Sequence, residues 1–138
     1  MRSTTTSLVD LLRSRADAEG GVISHRFLRQ GVDVTAELSY GELDRRARAA
    51  AVSLRRHAAP GDRVLLIYPP GLEFLVGFFG SLYAGMIPVP AYPPRPPQID
   101  ERVRAIAGDA HPAVAASDLD VTSRLGGRLD LGDGAASL

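Results

Sequence analysis

The fold of this chain is decided by the stretch Arg63–Pro97, which reads RVLLIYPPGLEFLVGFFGSLYAGMIPVPAYPPRPP. Val64–Tyr68 is short, uncharged and rich in β-prone residues, which is typical of a strand buried on both faces. Prolines and a glycine follow, and Leu72–Ala84 carries large apolar residues at helical spacing. Met86–Ala91 predicts a second buried strand after the helix-ending Gly85. The stretch therefore predicts a strand, a helix and a second strand, followed by a stiff proline-rich loop.

The predicted helix carries small residues on some of its sides and large apolar residues on another. Gly77, Gly80 and Ser81 lie on sides where small residues allow another backbone to come close. The large apolar side chains are expected to stack along one side, which consists of Phe74, Leu75, Phe78, Phe79, Leu82 and Tyr83.

The same residues have a rival interpretation as a membrane span. No charge occurs between Phe74 and Tyr92, and an uncharged apolar run of about 18 residues is long enough to cross a bilayer. Glycines within the run, together with Pro88 and Pro90, argue against one continuous helix. We therefore favour the strand–helix–strand interpretation and expect no membrane span.

A helix and a short β-hairpin are predicted before this stretch. The helix has its N-cap among Thr4–Ser7 and ends at Gly20. Val22–Leu28 predicts the first strand of the hairpin and Gln30-Gly31 the turn, while Val32–Leu38 alternates apolar and polar residues as a half-buried strand does. The apolar face of the first helix consists of Leu8, Leu11, Leu12 and Ala16.

The residues Ser39-Tyr40-Gly41-Glu42 predict a capping box at the start of a second helix. The Ser39 hydroxyl is expected to accept from the backbone N–H of Glu42, whose carboxylate reaches back. The apolar face of this helix consists of Leu43, Ala47, Ala50, Ala51 and Leu54.

A further helix and strand follow the central stretch. Ile99, Val103, Ile106 and Ala107 share one helical face, and Ala113–Ser117 is a short apolar strand. Three buried strands separated by two helices predict a right-handed βαβαβ unit with a parallel sheet, so the fold class is α/β. We expect residues 1–117 to form one structured segment and residues 118–138, which lack a clear period, to form a poorly ordered tail.

Composition excludes several classes of function. The 138 residues include 16 basic and 16 acidic side chains, so no net charge attracts nucleic acid or an anionic membrane. The absence of cysteine excludes disulfides and thiolate metal sites. No apolar segment of a signal peptide is present at the N-terminus, and we expect a cytoplasmic protein.

The sequence predicts no catalytic, cofactor-binding or metal-binding residue. His25, His57 and His111 have no carboxylate or histidine at ligand spacing and are interpreted as structural. Neither a phosphate-binding P-loop nor a Gly-x-Ser-x-Gly nucleophile motif occurs, and all 16 basic residues are arginine. The segment Pro93–Pro97 is interpreted as a rigid connector rather than a polyproline ligand. A basic run on the second helix is interpreted as a solvated face, with docking of an acidic partner as the alternative: Arg45, Arg46, Arg48, Arg55 and Arg56.

Several motifs give the chain a resemblance to a known family. Leu66–Phe74 (LIYPPGLEF), Leu82-Tyr83-Ala84-Gly85 and Pro88–Pro96 (PVPAYPPRP) resemble the fatty-acyl-AMP ligases of the adenylate-forming superfamily. Leu38–Leu43 (LSYGEL) is similar to the first motif of that superfamily, where it serves as framework. The resemblance covers about residues 1 to 117 and implies a partial N-terminal subdomain of an adenylate-forming enzyme.

The resemblance also implies a chemistry. Members of the family activate a fatty acid with ATP and Mg²⁺ to an acyl-adenylate, and the fatty-acyl-AMP ligases pass the acyl group to an acyl carrier protein. The family's nucleotide loop, adenine-site motifs and catalytic lysine all follow the region seen here, and two of these parts require lysine. We therefore expect this chain alone to be inactive and to bind no cofactor by itself.

Three interpretations remain open at this point. The chain is a fragment whose function exists only in a longer product, or one half of a split ligase completed by a separate downstream part. The third interpretation is a non-enzymatic interaction module that binds a carrier protein or a homologous ligase. For the fragment interpretation an open parallel sheet edge predicts association with further polypeptide, whereas a stable monomer would favour the interaction module.

Overall fold

The computed structural model describes residues 6–93, 101–118 and 136–137. The elements follow the chain as α1 Leu8–Glu19, β1 Ile23–Arg29, β2 Asp33–Ser39, α2 Tyr40–Leu54, β3 Arg63–Ile67, α3 Leu72–Tyr83, β4 Ile87–Ala91, α4 Glu101–Ala110, β5 Val114–Ser117 and β6 Ala136–Ser137.

The strands form two separate sheets, and the predicted α/β architecture is confirmed. β1 and β2 pair antiparallel as a hairpin. In the second sheet β4 and β5 lie on opposite sides of β3 and both run parallel to it, and the two-residue β6 pairs with β5. The proline-rich loop lies outside the described residues apart from Pro93, as does the predicted tail apart from Asp118 and β6.

The two predicted buried strands of the central unit differ in burial. In β3 the four residues Val64–Ile67 are buried, as predicted for a strand covered on both faces. β4 lies at the edge of the sheet, and Ile87 is 49% exposed. The prediction of a second buried strand is therefore wrong for most of β4, because an apolar run does not reveal whether a strand is central or lies at an edge.

Helix α3 packs through its small residues. Its buried positions include Gly77, Gly80 and Ser81, and the Ser81 hydroxyl donates to the carbonyl of Gly77 at 2.8 Å. A Cβ at Gly80 would lie 2.6 Å from the Cβ of Ala50, so α2 and α3 approach too closely there for any larger residue. The close approach expected at the small residues is confirmed, while the aromatic side of α3 is only partly buried.

The first helix and the hairpin are less buried than their apolar patterns predict. Of the four residues on the predicted face of α1, only Leu12 is buried. In β2 only Leu38 is buried, and the other apolar positions face solvent. The half-buried strand is therefore a wrong prediction, because no second layer covers the outer part of the hairpin among the described residues.

Helix starts follow the capping residues in the sequence. The Ser39 hydroxyl accepts from the Glu42 N–H at 3.1 Å, which confirms the predicted N-cap of α2. The reciprocal bond of a full capping box occurs instead at α1, where the Asp10 carboxylate accepts from the Ser7 N–H. Glu42 is turned toward Arg45, 3.7 Å away.

None of the described helices is long and apolar enough to cross a membrane. The uncharged run from Phe74 to Tyr92 is divided between α3 and β4. The strand–helix–strand interpretation of these residues is therefore confirmed.

Candidate functional site

A cavity of about 450 Å³ opens beyond the carboxyl ends of β3 and β4. In open parallel sheets ligands commonly bind outside the carboxyl ends of the strands. Its lining consists of Tyr68, Pro69, Pro70, Phe74, Pro90, Ala91, Tyr92, Arg102 and Ile106.

The pairing of the two strands brings distant parts of the sequence to this cavity. β3 and β4 are parallel and in register with Ile67 opposite Ala91. The chain segments that leave both strands therefore end on the same side, and Tyr68 and Tyr92 follow directly. Helix α4 contributes Arg102 and Ile106 to the lining.

The residues that line the cavity are suited to binding a ligand. Burial, followed by the nearby charges of Glu73 and Asp118, raises the pKa of Tyr68 to about 12. Its phenol, like that of any tyrosine, is protonated at neutral pH and can donate a hydrogen bond. The rest of the lining is proline, aromatic or aliphatic apart from Arg102. Such a site suits an apolar group that carries a hydrogen-bond acceptor.

The sequence pattern did not predict this cavity. Pro69-Pro70 were expected to lead into a helix, and the residues after Ala91 were expected to form a connector. The available signal was an aromatic residue next to proline after each of two neighbouring parallel strands. That signal becomes a site only when the strands are known to be adjacent and parallel.

The three histidines lie in separate parts of the chain. His25 follows the start of β1, where its ring contacts the Ser24 hydroxyl at 3.0 Å. His57 lies beyond α2, and His111 follows α4 with a positive φ of 49°. In the part of the chain that the structure describes, no group of three or more His, Cys, Asp or Glu is placed to hold a metal ion.

The basic run on α2 is largely held in internal contacts. Arg46 pairs with Glu73 of α3, and Arg48 pairs with Asp44 at 2.8 Å. Arg45 lies near Glu42, and Arg55 donates to the Ala84 carbonyl. These pairings support the interpretation of a solvated face over an acidic docking face.

The pair Arg48–Asp44 belongs to a junction of the helices α1, α2 and α3. The Tyr83 hydroxyl of α3 donates to the Asp44 carboxylate at 2.6 Å, and the guanidinium of Arg13 from α1 lies 5.2 Å from the centre of the Tyr83 ring. Burial alone would raise the pKa of Asp44, but hydrogen bonds from Arg48 and Tyr83 and the charges of Arg48 and Arg13 outweigh it and lower that pKa. Burial and the bond to Asp44 raise the pKa of Tyr83. The junction joins the helices, and none of its residues lines the cavity.

Comparison with known proteins identifies the family. Residues 17–128 match the family model of the AMP-binding enzymes. The chain is 40% identical over 123 residues to the medium-chain-fatty-acid–[acyl-carrier-protein] ligase JamA of Moorena producens, which covers 87% of this chain and 21% of that protein. It is 35% identical over 111 residues to the long-chain-fatty-acid–AMP ligase FadD32 of Mycolicibacterium smegmatis, covering 78% of this chain and 18% of that protein.

The fold agrees with the sequence comparison. The crystal structure of a fatty acid AMP ligase from Legionella pneumophila matches with a TM-score of 0.81 at 35% identity, over 88% of this chain and 21% of that chain. The chain thus spans about a fifth of the length of the relatives it matches. Because the family match covers most of its residues, the chain belongs to the AMP-binding enzyme family, in which it corresponds to the N-terminal subdomain of the fatty-acyl-AMP ligases.

Proposed function

We propose that this chain is the N-terminal part of a fatty-acyl-AMP ligase that activates a fatty acid with ATP and Mg²⁺ and passes the acyl group to an acyl carrier protein in the cytoplasm. The observation that carries the proposal is the structural match. A fatty acyl-adenylate ligase from L. pneumophila, with a TM-score of 0.81 to this chain, was solved in complex with acyl adenylate and pyrophosphate.

The described residues do not by themselves fit ATP or Mg²⁺. Adenylation needs a metal, backbone amides and cationic side chains around the transferring phosphoryl group. The cavity lining contains one guanidinium, that of Arg102, and the phenols of Tyr68 and Tyr92 among otherwise apolar residues, and no acidic cluster is placed to hold a cation in the described part of the chain. The chain also contains no lysine. The role proposed for these residues is therefore that of scaffold, and the remaining four-fifths of a ligase supplies the reacting groups.

ATP–pyrophosphate exchange with medium- and long-chain fatty acids tests this role in two proteins. The purified 138-residue chain is expected to show no exchange above background. The second protein is a chimera, defined as the L. pneumophila ligase in which this chain replaces the matching segment. The chimera is expected to catalyse exchange and to form acyl-adenylate.

Two controls give the upper and the lower reference levels of exchange activity. The unmodified L. pneumophila ligase sets the upper level, and a chimera with Leu65→Asp sets the lower level because it places a carboxylate at a fully buried position of β3. Turnover by the isolated chain would overturn the scaffold role. A chimera that folds but forms no adenylate would favour the interaction module over the ligase.

A further inference from the structure

Helix α1 is attached to the rest of the fold at two places. Its C-terminal end is fixed by the backbone, because the Gly41 N–H donates to the Gly20 carbonyl at 2.9 Å. Its middle is held by side chains: Leu12 is 5% exposed and lies in a cluster with residues of β2, α2 and α3, and Arg13 contacts the Tyr83 ring. Leu12 is the one buried residue of α1. The attachment of the middle therefore depends on one apolar side chain and one guanidinium.

The Arg13 contact belongs to the junction of the three helices, which consists of Arg13, Asp44, Arg48 and Tyr83. One oxygen of Asp44 accepts from the Tyr83 hydroxyl at 2.6 Å, and the other accepts from Nε of Arg48 at 2.8 Å. The guanidinium groups of Arg13 and Arg48 lie 5.2 and 5.8 Å from the centre of the Tyr83 ring. The Asp44 side chain is only 14% exposed, so salt and water screen its charge much less than that of a surface carboxylate.

The carboxylate of Asp44 makes it favourable to hold two cations beside one ring. The groups that face it are Arg13 from α1, Arg48 from α2 and Tyr83 from α3, and the charge of Asp17 on α1 acts on Arg48. Against the opposing effect of burial, hydrogen bonds from Arg48 and Tyr83 and the charges of both arginines lower the pKa of Asp44. Both guanidinium groups are thus attracted to the ionised carboxylate. Protonation of Asp44 removes that attraction and leaves two like charges beside a ring that holds each of them only weakly.

The pH range of this effect follows from the direction of the shift. The pKa of Asp44 in the folded chain lies below its ordinary value of 3.8. The stability that the ionised form contributes is therefore complete above about pH 3.8 and is lost as the pH falls through the folded value. Asp10 on α1 also has a lowered pKa, because its carboxylate accepts hydrogen bonds from the Ser7 hydroxyl and N–H, and the charge of Arg13 adds to this. Its protonation weakens the N-cap of α1 in the same range, so substitution is needed to separate the two carboxylates.

We propose that Asp44 controls the attachment of α1: the ionised carboxylate locks the middle of α1 onto α2 and α3, and protonation releases it while the contact between Gly20 and Gly41 keeps its C-terminal end in place. This inference goes beyond the proposed function and stands whether or not the chain is part of a ligase. The junction is an acid-sensitive switch between a covered and an uncovered apolar surface. Release of α1 uncovers the residues that surround Leu12, which are Leu38, Leu43, Leu72 and Val76.

Hydrogen exchange of the 138-residue chain tests this switch. The rates of the amides of residues 12–19 are divided by those of β3 in the same sample, which cancels most of the intrinsic pH dependence of exchange. Asp44→Asn keeps the shape of the side chain and removes its charge. At neutral pH it is expected to raise this ratio about tenfold, as the loss of a hydrogen bond to a charged group predicts. The matched control is Glu37→Gln, which removes a carboxylate paired with Arg26 at 2.7 Å outside the junction and is expected to leave the ratio unchanged.

Arg13→Gln tests the same contact from the side of α1. Because the Arg13 side chain is exposed, its replacement leaves the core of the chain intact. This variant is expected to raise the exchange ratio, and the double variant Arg13→Gln/Asp44→Asn is expected to raise it by less than the product of the two single effects, since both changes break one contact. If Asp44→Asn unfolds the whole chain, so that β3 exchanges as fast as α1, Arg13→Gln decides. An unchanged ratio in Arg13→Gln, or in a folded Asp44→Asn variant, would overturn the inference.

A pH series separates the switch from a merely structural contact. In the parent chain the exchange ratio is expected to rise as the pH falls from about 5 to about 3, and Asp10→Asn is expected to keep a rise. In Asp44→Asn the ratio is expected to be high throughout and to change by less than about twofold over this range. A constant ratio in the parent chain, or a rise in Asp44→Asn as large as that in the parent, would show that Asp44 does not control α1.

Discussion

The close contact between α2 and α3 at Gly80 predicts that replacing this glycine by alanine destabilises the chain, although helix propensity alone predicts the opposite. Replacing glycine by alanine inside an exposed helix stabilises it by about 0.8–1.0 kcal/mol. At Gly80 the added Cβ would lie 2.6 Å from the Cβ of Ala50 and 3.4 Å from the Ala47 carbonyl oxygen. Both neighbours belong to the rigid body of α2, so no flexible side-chain end can move away. We therefore expect Gly80→Ala to destabilise the chain.

The magnitude follows from the distance. Carbon atoms pack best about 3.5–4.0 Å apart, so the helices must separate by about 1 Å or bend. Overpacking of this kind costs about 1–3 kcal/mol. Subtraction of the propensity gain of about 0.8–1.0 kcal/mol leaves a net loss of about 0–2 kcal/mol in the free energy of unfolding.

Denaturant titration followed by far-ultraviolet circular dichroism measures this loss. Gly108→Ala is the matched control, because Gly108 lies within α4 and an added Cβ there meets nothing within 4 Å. That change is expected to stabilise the chain by about 0.8–1.0 kcal/mol. The double variant Gly80→Ala/Ala50→Gly removes the clash and should lose less than the sum of its two single variants. A Gly80→Ala variant as stable as Gly108→Ala would refute the close approach of α2 and α3.

Two further predictions concern a cap and a titrating phenol. Ser39→Ala removes the acceptor for the Glu42 N–H and should cost about 1 kcal/mol in a denaturant titration; an unchanged midpoint would show that α2 begins elsewhere. Tyr68 has a pKa raised from 10.0 to about 12, so the stability from burying its neutral phenol is complete below about pH 10 and is lost as the pH rises toward 12. Because the chain has no lysine, the tyrosines are its main titrating side chains in this window. Between pH 10 and 12 the free energy of unfolding of the parent chain should therefore fall by on the order of 2 kcal/mol more than that of Tyr68→Phe. An equal fall in both proteins would contradict the burial of Tyr68.

Much of the fold could be predicted because its signals are local. The Ser39 cap, the turn at Gln30-Gly31 and the helical spacing of apolar residues in α2 all depend on backbone preferences within one or two turns of chain. The order of strand, helix and strand in Arg63–Ala91 follows from lengths and breakers in the same way. The motifs in this stretch also led to the family that the comparisons establish.

The candidate site could not be predicted because its parts are far apart in the sequence. Tyr68 and Tyr92 become neighbours of one cavity only through the parallel pairing of Ile67 with Ala91. Arg102 reaches the same cavity from a helix that follows the proline-rich connector. Prolines and tyrosines in connecting segments are individually ordinary, so no local pattern distinguishes a lining residue from a loop residue.

The sequence by itself determined the type and order of the elements, the parallel central unit and the family. Only the tertiary structure decided which apolar residues are covered: Leu66 in β3 is buried and Ile87 in β4 is half exposed, although both lie in apolar strands. It likewise decided that Val34 faces solvent while Leu38, four residues along the same strand, lies in the core. The physical reason is that dihedral preference and periodicity act over a few residues, whereas burial depends on which distant segment packs against each face.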